Sequence, residues 1–211
     1  MMEQLILVGG GGHCKSVIDV AQSAGYQVLG VLDMPEEVGK AILNTKVIGT
    51  DEDIPYYVNR AEFVITVGFI KNAATRIELF NRIKEAGGKL ATIIASTAYV
   101  SKYATLGEGT VVMHNAFVNA GAKVGNNVIL NTFSNVEHDV VIEDQCHIST
   151  GTMVNGNCKV GKNCFIGSQS VLANGVIIGD DIIVSAGSFV KKSISDKGVY
   201  SGNPVTLIHK R

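Results

Sequence analysis

The chain has 211 residues, nearly half of them apolar, with 24 glycines and a formal net charge of −1. That length suits one or two domains with a sizeable core, and the near-neutral charge argues against a general affinity for nucleic acid or a membrane surface. With no signal-peptide pattern and no apolar run of membrane-spanning length, the expectation is a soluble cytoplasmic protein.

Leu5 to Val8 read as a short buried strand, followed by Gly9-Gly10-Gly11-Gly12-His13. Ser16 to Ala21 read as a helix stopped by Gly25. Val28 to Leu32 form a second strand with Asp33 at its end, and Val47 to Gly49 a third. Asp51 to Arg60 hold a short helix, and Phe63 to Val67 are another buried strand. The spacing predicts a helix from about Ala73 to Ala86, with Ile77, Phe80 and Ile83 as its core face and Gly87-Gly88 as its stop. Leu90 to Ile94 are a last strand. This alternation describes a small Rossmann-like α/β domain, assigned to residues 1–95.

Glycines between a strand and a helix let backbone N–H groups approach a phosphate at the helix N-terminus. Gly9, Gly11 and Cys14 only approximate GxGxxG, because cysteine stands at the third glycine. Asp33 sits about where a ribose-binding acid would. The domain is long enough for one mononucleotide-sized half and no second. A nucleotide-linked ligand is therefore favoured over a dinucleotide or a purely structural turn.

From near Ser96 the period changes to six, and residues 96–211 are assigned to a second domain. Sixteen apolar residues recur without a slip, from Val100, Leu106 and Val112 through Val136, Ile142 and Ile148 to Val184 and Val190. The fifth residue of each hexad is small or β-branched, as at Ala104, Thr110, Ser134, Thr152 and Ser188. Neither the helix period nor the strand period explains a strict six. A solenoid does: three hexads make one triangular coil, and stacking buries what one coil cannot. This hexapeptide repeat resembles the left-handed parallel β-helix of acyltransferases. Three of the four cysteines, Cys146, Cys158 and Cys164, occupy fifth positions and read as core filler in a reducing compartment, with no CxxC among them.

Asn131, His138-Asp139 and His147 lie within one coil's length of each other. Histidine is the usual proton acceptor near neutral pH, and an adjacent carboxylate orients the ring and stabilises the imidazolium. Counting by one coil puts Gly156 and Ala120 directly above and below His138, roughly 4.8 Å away. Small neighbours there leave room for a thin ligand. Asn131 and His147 share nearly one column on another part of the triangle, so a site joining them to His138 calls for a threefold trimer.

The whole chain resembles the bacterial sugar acetyltransferases that join a Rossmann-like domain to a left-handed β-helix. The residues that carry this are Gly10 to Lys15, Val136 to Asp139, Cys146 to Ser149, Val160 to Gly167, and Gly202 to Pro204. Members acetylate the amine of UDP-4-amino-6-deoxy sugars; sialic-acid-type O-acetyltransferases and perosamine N-acetyltransferases share the architecture. The resemblance implies an acetyl-CoA-dependent homotrimer with His138 as general base, Asp139 as its acidic partner, and Asn131 and His147 lining the same site. It implies a backbone N–H at Gly156 on the acetyl carbonyl, with His147, Ser168 and Ala186 on the acetyl-CoA side. Gly10, Gly11, Gly12, His13, Asp33 and Gly68 fall on the acceptor side. The chain departs from the family at Cys14, usually glycine or alanine, and after Asp33, where a second acid often stands and this chain has Met34-Pro35.

No cysteine or serine has a convincing nucleophile setting, so direct transfer without an acyl-enzyme is expected, and no metal. A zinc hydratase on the same scaffold would need His114, His138 and His147 to converge, and their columns differ. Sialic-acid-type O-acetylation and a non-catalytic nucleotide-sugar-binding scaffold are the remaining alternatives.

Overall fold

The computed structural model describes residues 3–210, in two compact units. One contains residues 3–68 and 74–96, the other residues 69–73 and 97–210. Among the described residues no helix is long and apolar enough to cross a membrane.

The first unit runs β1 (Gln4–Val8), α1 (Gly12–Ser23), β2 (Gln27–Leu32), β3 (Ala41–Ile42), β4 (Thr45–Gly49), α2 (Ile54–Tyr57), β5 (Glu62–Ile65) and α3 (Ala74–Glu85). The sheet order is β3-β4-β2-β1-β5, parallel except for the β3–β4 hairpin. β1 lies between two strands, which is why Leu5 to Val8 are an unbroken apolar run, each fully buried. α1 buries Cys14, Val17, Ile18 and Ala21 at helical spacing. It begins at Gly12, earlier than the sequence pattern indicates, because the last glycine of the loop enters its first turn. It ends in a Schellman motif: Tyr26 N–H donates to the Ala21 carbonyl at 3.0 Å, and Gly25, at φ +84°, donates to Gln22 at 3.1 Å.

α3 differs from expectation. Its buried face is Arg76, Leu79 and Ile83, while Ile77 and Phe80 are half-buried. The face is turned because the Arg76 guanidinium finds main-chain partners inside. Leu90 to Ile94 are not one continuous strand either: Leu90 makes a single bridge to Phe63, and only Ile93–Ile94 are extended.

In the second unit, short strands recur every six residues from Tyr99–Val100 to Phe189–Val190. Each pairs in parallel with the strand one coil on, as in Asn135↔Met153, Lys123↔Val141 and Ile129↔His147. The hexad aliphatics point inward and form one continuous core, with Val136, Ile148, Ile166 and Leu172 fully buried. The corners need left-handed backbone, and the fourth hexad position supplies it. Glycine takes it at Gly121 and Gly151, and Asn, Asp or Gln at Asn157, Asp139 and Gln145, all with φ between +58° and +76°.

The fifth position proves to be more than a space filler. Where it carries Thr or Cys, and at Ser170, the Oγ or Sγ donor reaches a second-position carbonyl of the following coil. Thr110 donates to Gly125 at 2.8 Å, Thr152 to Gly167 at 3.0 Å and Ser170 to Ser185 at 2.9 Å. Cys146, Cys158 and Cys164 make the same contact to Gly161, Ala173 and Gly179 at 2.9–3.0 Å. At these corners the side chain links successive coils as well as filling space. The repeat closes on a hairpin: Gly198–Gly202 pairs in parallel with Ile182–Val184, and Val205–Lys210 runs back antiparallel.

Candidate active site

The glycine loop of the first unit is built by close approach. A Cβ on Gly9, at φ +104°, would lie 2.4 Å from Val67 Cγ2. One on Gly10 would lie 2.2 Å from Asp33 Oδ2 and 2.7 Å from Ile42 Cδ1. The Asp33 carboxylate therefore rests directly against the loop. Gly11 and Gly12 face open space, and Gly11 is the N-cap of α1 with no side-chain cap; its carbonyl accepts from the Cys14 N–H at 3.0 Å. Gly68 packs near His13, where an added Cβ would be 3.7 Å away. Behind the loop, the Cys14 thiol is pushed up to about 11, first by burial and further by Asp33, against a hydrogen bond with Thr66 that lowers it. It is no nucleophile at neutral pH.

In the second unit, His138 Nδ1 lies 3.0 Å from Asp139 Oδ2, with both side chains more than half exposed. A carboxylate only accepts, so Nδ1 carries the hydrogen and Nε2 is left as the basic atom. A Cβ on Gly156 would lie 2.6 Å from that Nε2, and one on Gly121 would lie 2.5 Å from Asp139 Oδ1. Glycine on each side is what lets the ring and the carboxylate lie flat on the coil surface. The stacking follows the coil arithmetic: Asp139 N–H donates to the Ala120 carbonyl at 3.2 Å and Asn157 N–H to that of His138 at 3.0 Å. Next to this pair, Asn119 at 2.7 Å and Asn135 at 3.0 Å donate to Glu137, holding its carboxyl below the usual carboxylate range.

His147 is different in kind. It is buried, and Nδ1 donates to the Phe69 carbonyl at 2.8 Å. Its Nε2 meets Asn131 Nδ2 at 3.1 Å. Asn131 Oδ1 accepts from Thr132 N–H at 2.8 Å, which fixes the amide so that its NH₂ faces the ring. Both imidazole nitrogens are thus occupied, and His147 has no lone pair to offer as a base. Phe165 and Phe69 press on it edge-on, at 5.2 and 5.7 Å between centroids. Asn131 follows one strand of a side of the triangle and His147 lies in the next strand of that side, whereas His138 follows a strand of another side. One hexad, at most roughly 20 Å of chain, separates the two corners.

A cleft of about 760 Å³ within the second unit runs along the side carrying His147. His147, Ser168 and Ala186 line it; Gly156 and His138 do not. His147, Phe165, Ile183 and Val199 stand in register one coil apart along its floor, a span of roughly 14 Å. Sequence reasoning missed Phe165, Ser149 (bonded to Ser168 at 2.9 Å), Ile70, Lys71 and His209. The hexad register could have found the first two. Nothing in the sequence marks Ile70 and Lys71 as belonging with the repeat. Among the described residues no group of three or more His, Cys, Asp and Glu side chains is placed to hold a metal ion. His114 is turned instead to Thr97, with Nδ1 2.8 Å from its hydroxyl.

Residues 4–83 match the model of the PglD N-terminal domain, and residues 158–192 that of the hexapeptide repeat of succinyl-transferase. The acetyltransferase domain of PglB from Neisseria gonorrhoeae, solved with acetyl coenzyme A, superposes at a TM-score of 0.91. It is 27% identical, over 99% of this chain and 100% of that one. PerB from Caulobacter crescentus, solved with CoA and GDP-perosamine, gives 0.90 at 29% identity over 98% of each chain. The chain is a hexapeptide-repeat acyltransferase with a PglD-type N-terminal domain. An uncharacterized protein of Acanthamoeba polyphaga mimivirus is 31% identical over 122 residues, and there the acyltransferase chain spans only 23% of its relative. The acyltransferase coil is the left-handed parallel β-helix.

Proposed function

We propose that this acyltransferase moves the acetyl group of acetyl-CoA to the amine of a nucleotide-linked amino sugar, in the cytoplasm. The observation that carries this is the His138–Asp139 pair, its Nε2 turned away from Asp139 and stacked on Gly156. The amine attacks the thioester carbonyl, His138 Nε2 takes the proton it loses, and Asp139 supports the imidazolium that forms. Collapse of the tetrahedral intermediate breaks the C–S bond, and the imidazolium returns its proton to the departing CoA thiolate. The buried thiols at Cys14, Cys146 and Cys158, all pushed up by burial, argue for direct transfer over an acyl-enzyme.

The long cleft with Ser168 and Ala186 is assigned to the pantetheine arm of acetyl-CoA. The glycine loop, His13, Gly68 and Asp33 are assigned to the acceptor nucleotide. That His138 and His147 belong to different sides of the triangle supports a homotrimer, in which one subunit brings His138 to the cleft of the next. In that arrangement Asn131 and His147 line the site without taking the proton.

The test is purified protein with acetyl-CoA against UDP- and GDP-linked 4-amino sugars, with sialic acid as the hydroxyl control. Thiol release together with an acetylated amine is the expected result; acetylation of sialic acid alone would reverse the choice of acceptor. Mixing His138→Ala with Asn131→Ala subunits should restore activity if sites are shared, and no recovery after demonstrated subunit exchange would refute sharing.

A further inference from the structure

Arg76 has 1% of its surface exposed, yet it carries a cation into the first unit. The burial pulls its pKa down to about 9. A methionine would fill similar space without that cost. What methionine lacks is the ability to hold two carbonyls at once.

Those carbonyls lie along the outer edge of β5 and of the segment that continues it. On one side β5 pairs with β1. On the other, Phe63 N–H donates to Lys89 at 2.8 Å and the Phe63 carbonyl accepts from Ala91 at 2.9 Å. The next two carbonyls along that edge, Ile65 and Val67, accept from Arg76 Nη1 at 3.0 and 2.6 Å. Between them Thr66 is tied the opposite way, to the glycine loop. Its N–H donates to the Val8 carbonyl at 2.8 Å, and its hydroxyl to Val8 at 3.0 Å and to Gly9. The Val67 side chain fills the space beside Gly9, and Gly68 follows against His13.

We infer that Arg76 is a positioning residue of the acceptor site: by clamping the end of β5 it fixes the glycine loop in the shape that receives the diphosphate of a nucleotide sugar. This rests on the reading of that loop as the nucleotide site. Arg76 acts through Thr66, Val67 and Gly9 rather than on the substrate itself.

The experiment compares Arg76→Met and Arg76→Lys with the wild-type enzyme. It measures both substrate KM values, kcat, thermal melting, and the calorimetric Kd of UDP and of GDP. Arg76→Met should raise the acceptor KM and the Kd of the preferred diphosphate about tenfold, with the acetyl-CoA KM within about twofold. Arg76→Lys keeps a cation with several donors on a differently shaped head and should recover part of the loss. A purely structural role would lower the melting temperature and the active fraction while leaving the acceptor KM unmoved. That result, or an equal rise in both KM values, overturns the proposal. If Arg76→Met does not fold, Arg76→Lys decides alone: an unchanged acceptor KM overturns it. Failure of the underlying nucleotide reading shows separately: UDP and GDP would then bind equally well to wild type and to Asp33→Ala, and the proposal would fall with that reading.

Discussion

In the α/β unit, Gly10 makes way for a neighbour from elsewhere in the chain, the Asp33 carboxylate, while Gly11 and Gly12 leave space for something from outside. In the β-helix, Gly156 and Gly121 make way for the repeat's own His138 and Asp139 one coil away. The first arrangement is shaped by single contacts that occur once. The second is shaped by a lattice, in which a residue's neighbours are set by counting. Damage should therefore stay local in the lattice and spread through the loop.

The largest effect should come from the proposed base. A positioned base is worth roughly 10²–10⁴-fold in rate. His138→Ala should lower kcat by about that factor with an unchanged melting temperature, because its side chain is over half exposed. Asp139→Asn should cost less, since imidazole alone still accepts a proton. Steady-state kinetics beside a melting curve check both, and near wild-type turnover in a folded His138→Ala enzyme would move the base elsewhere.

The two glycines sharpen the contrast. Gly156→Ala puts a methyl where the imidazole lies, so the exposed ring must swing away; kcat should fall about tenfold with both KM values nearly unchanged. Gly10→Ala meets Asp33 and Ile42 and should raise the acceptor KM instead. Identical kinetic signatures for the pair would end the distinction drawn between lattice and loop.

Glu137 gives a pH signature. Its folded pKa is depressed below the ordinary 4.5 by Asn119 first and Asn135 second. Its stabilising contribution is therefore present above that ordinary value and is lost as pH falls from there through the folded pKa. Glu137→Gln should flatten the acid side of a melting-temperature profile and leave neutral pH little changed. A parallel profile would show that the carboxylate is not linked to folding.

The smallest effect is expected inside the coil. Cys164→Ser keeps a donor for the Gly179 carbonyl, whereas Cys164→Ala removes it, so chemical denaturation should find alanine less stable by about 1 kcal/mol.

The repeat is legible because its period is incompatible with any other regular element, and the same counting places Gly156 against His138. The α/β order can be read from apolar runs and glycine stops. The inner face of α3 cannot, because a buried arginine satisfied by two carbonyls looks on paper like a solvent-facing charge. The Phe69 carbonyl that occupies His147 is equally hidden: a main-chain acceptor has no residue type to announce it. For the same reason residues 69–73 give no sign in the sequence of clustering with the repeat.

Parallel coils offer a ladder edge that another molecule can extend, which is how fibres grow. On the side of the triangle that carries His147, the strand Val205–Lys210 turns back antiparallel and exposes His209 and Lys210. A new coil arriving there meets the reversed chain direction, with Leu207 and Ile208 exposed beside His209 and Lys210. Among the described residues, this hairpin ends the parallel ladder of that side.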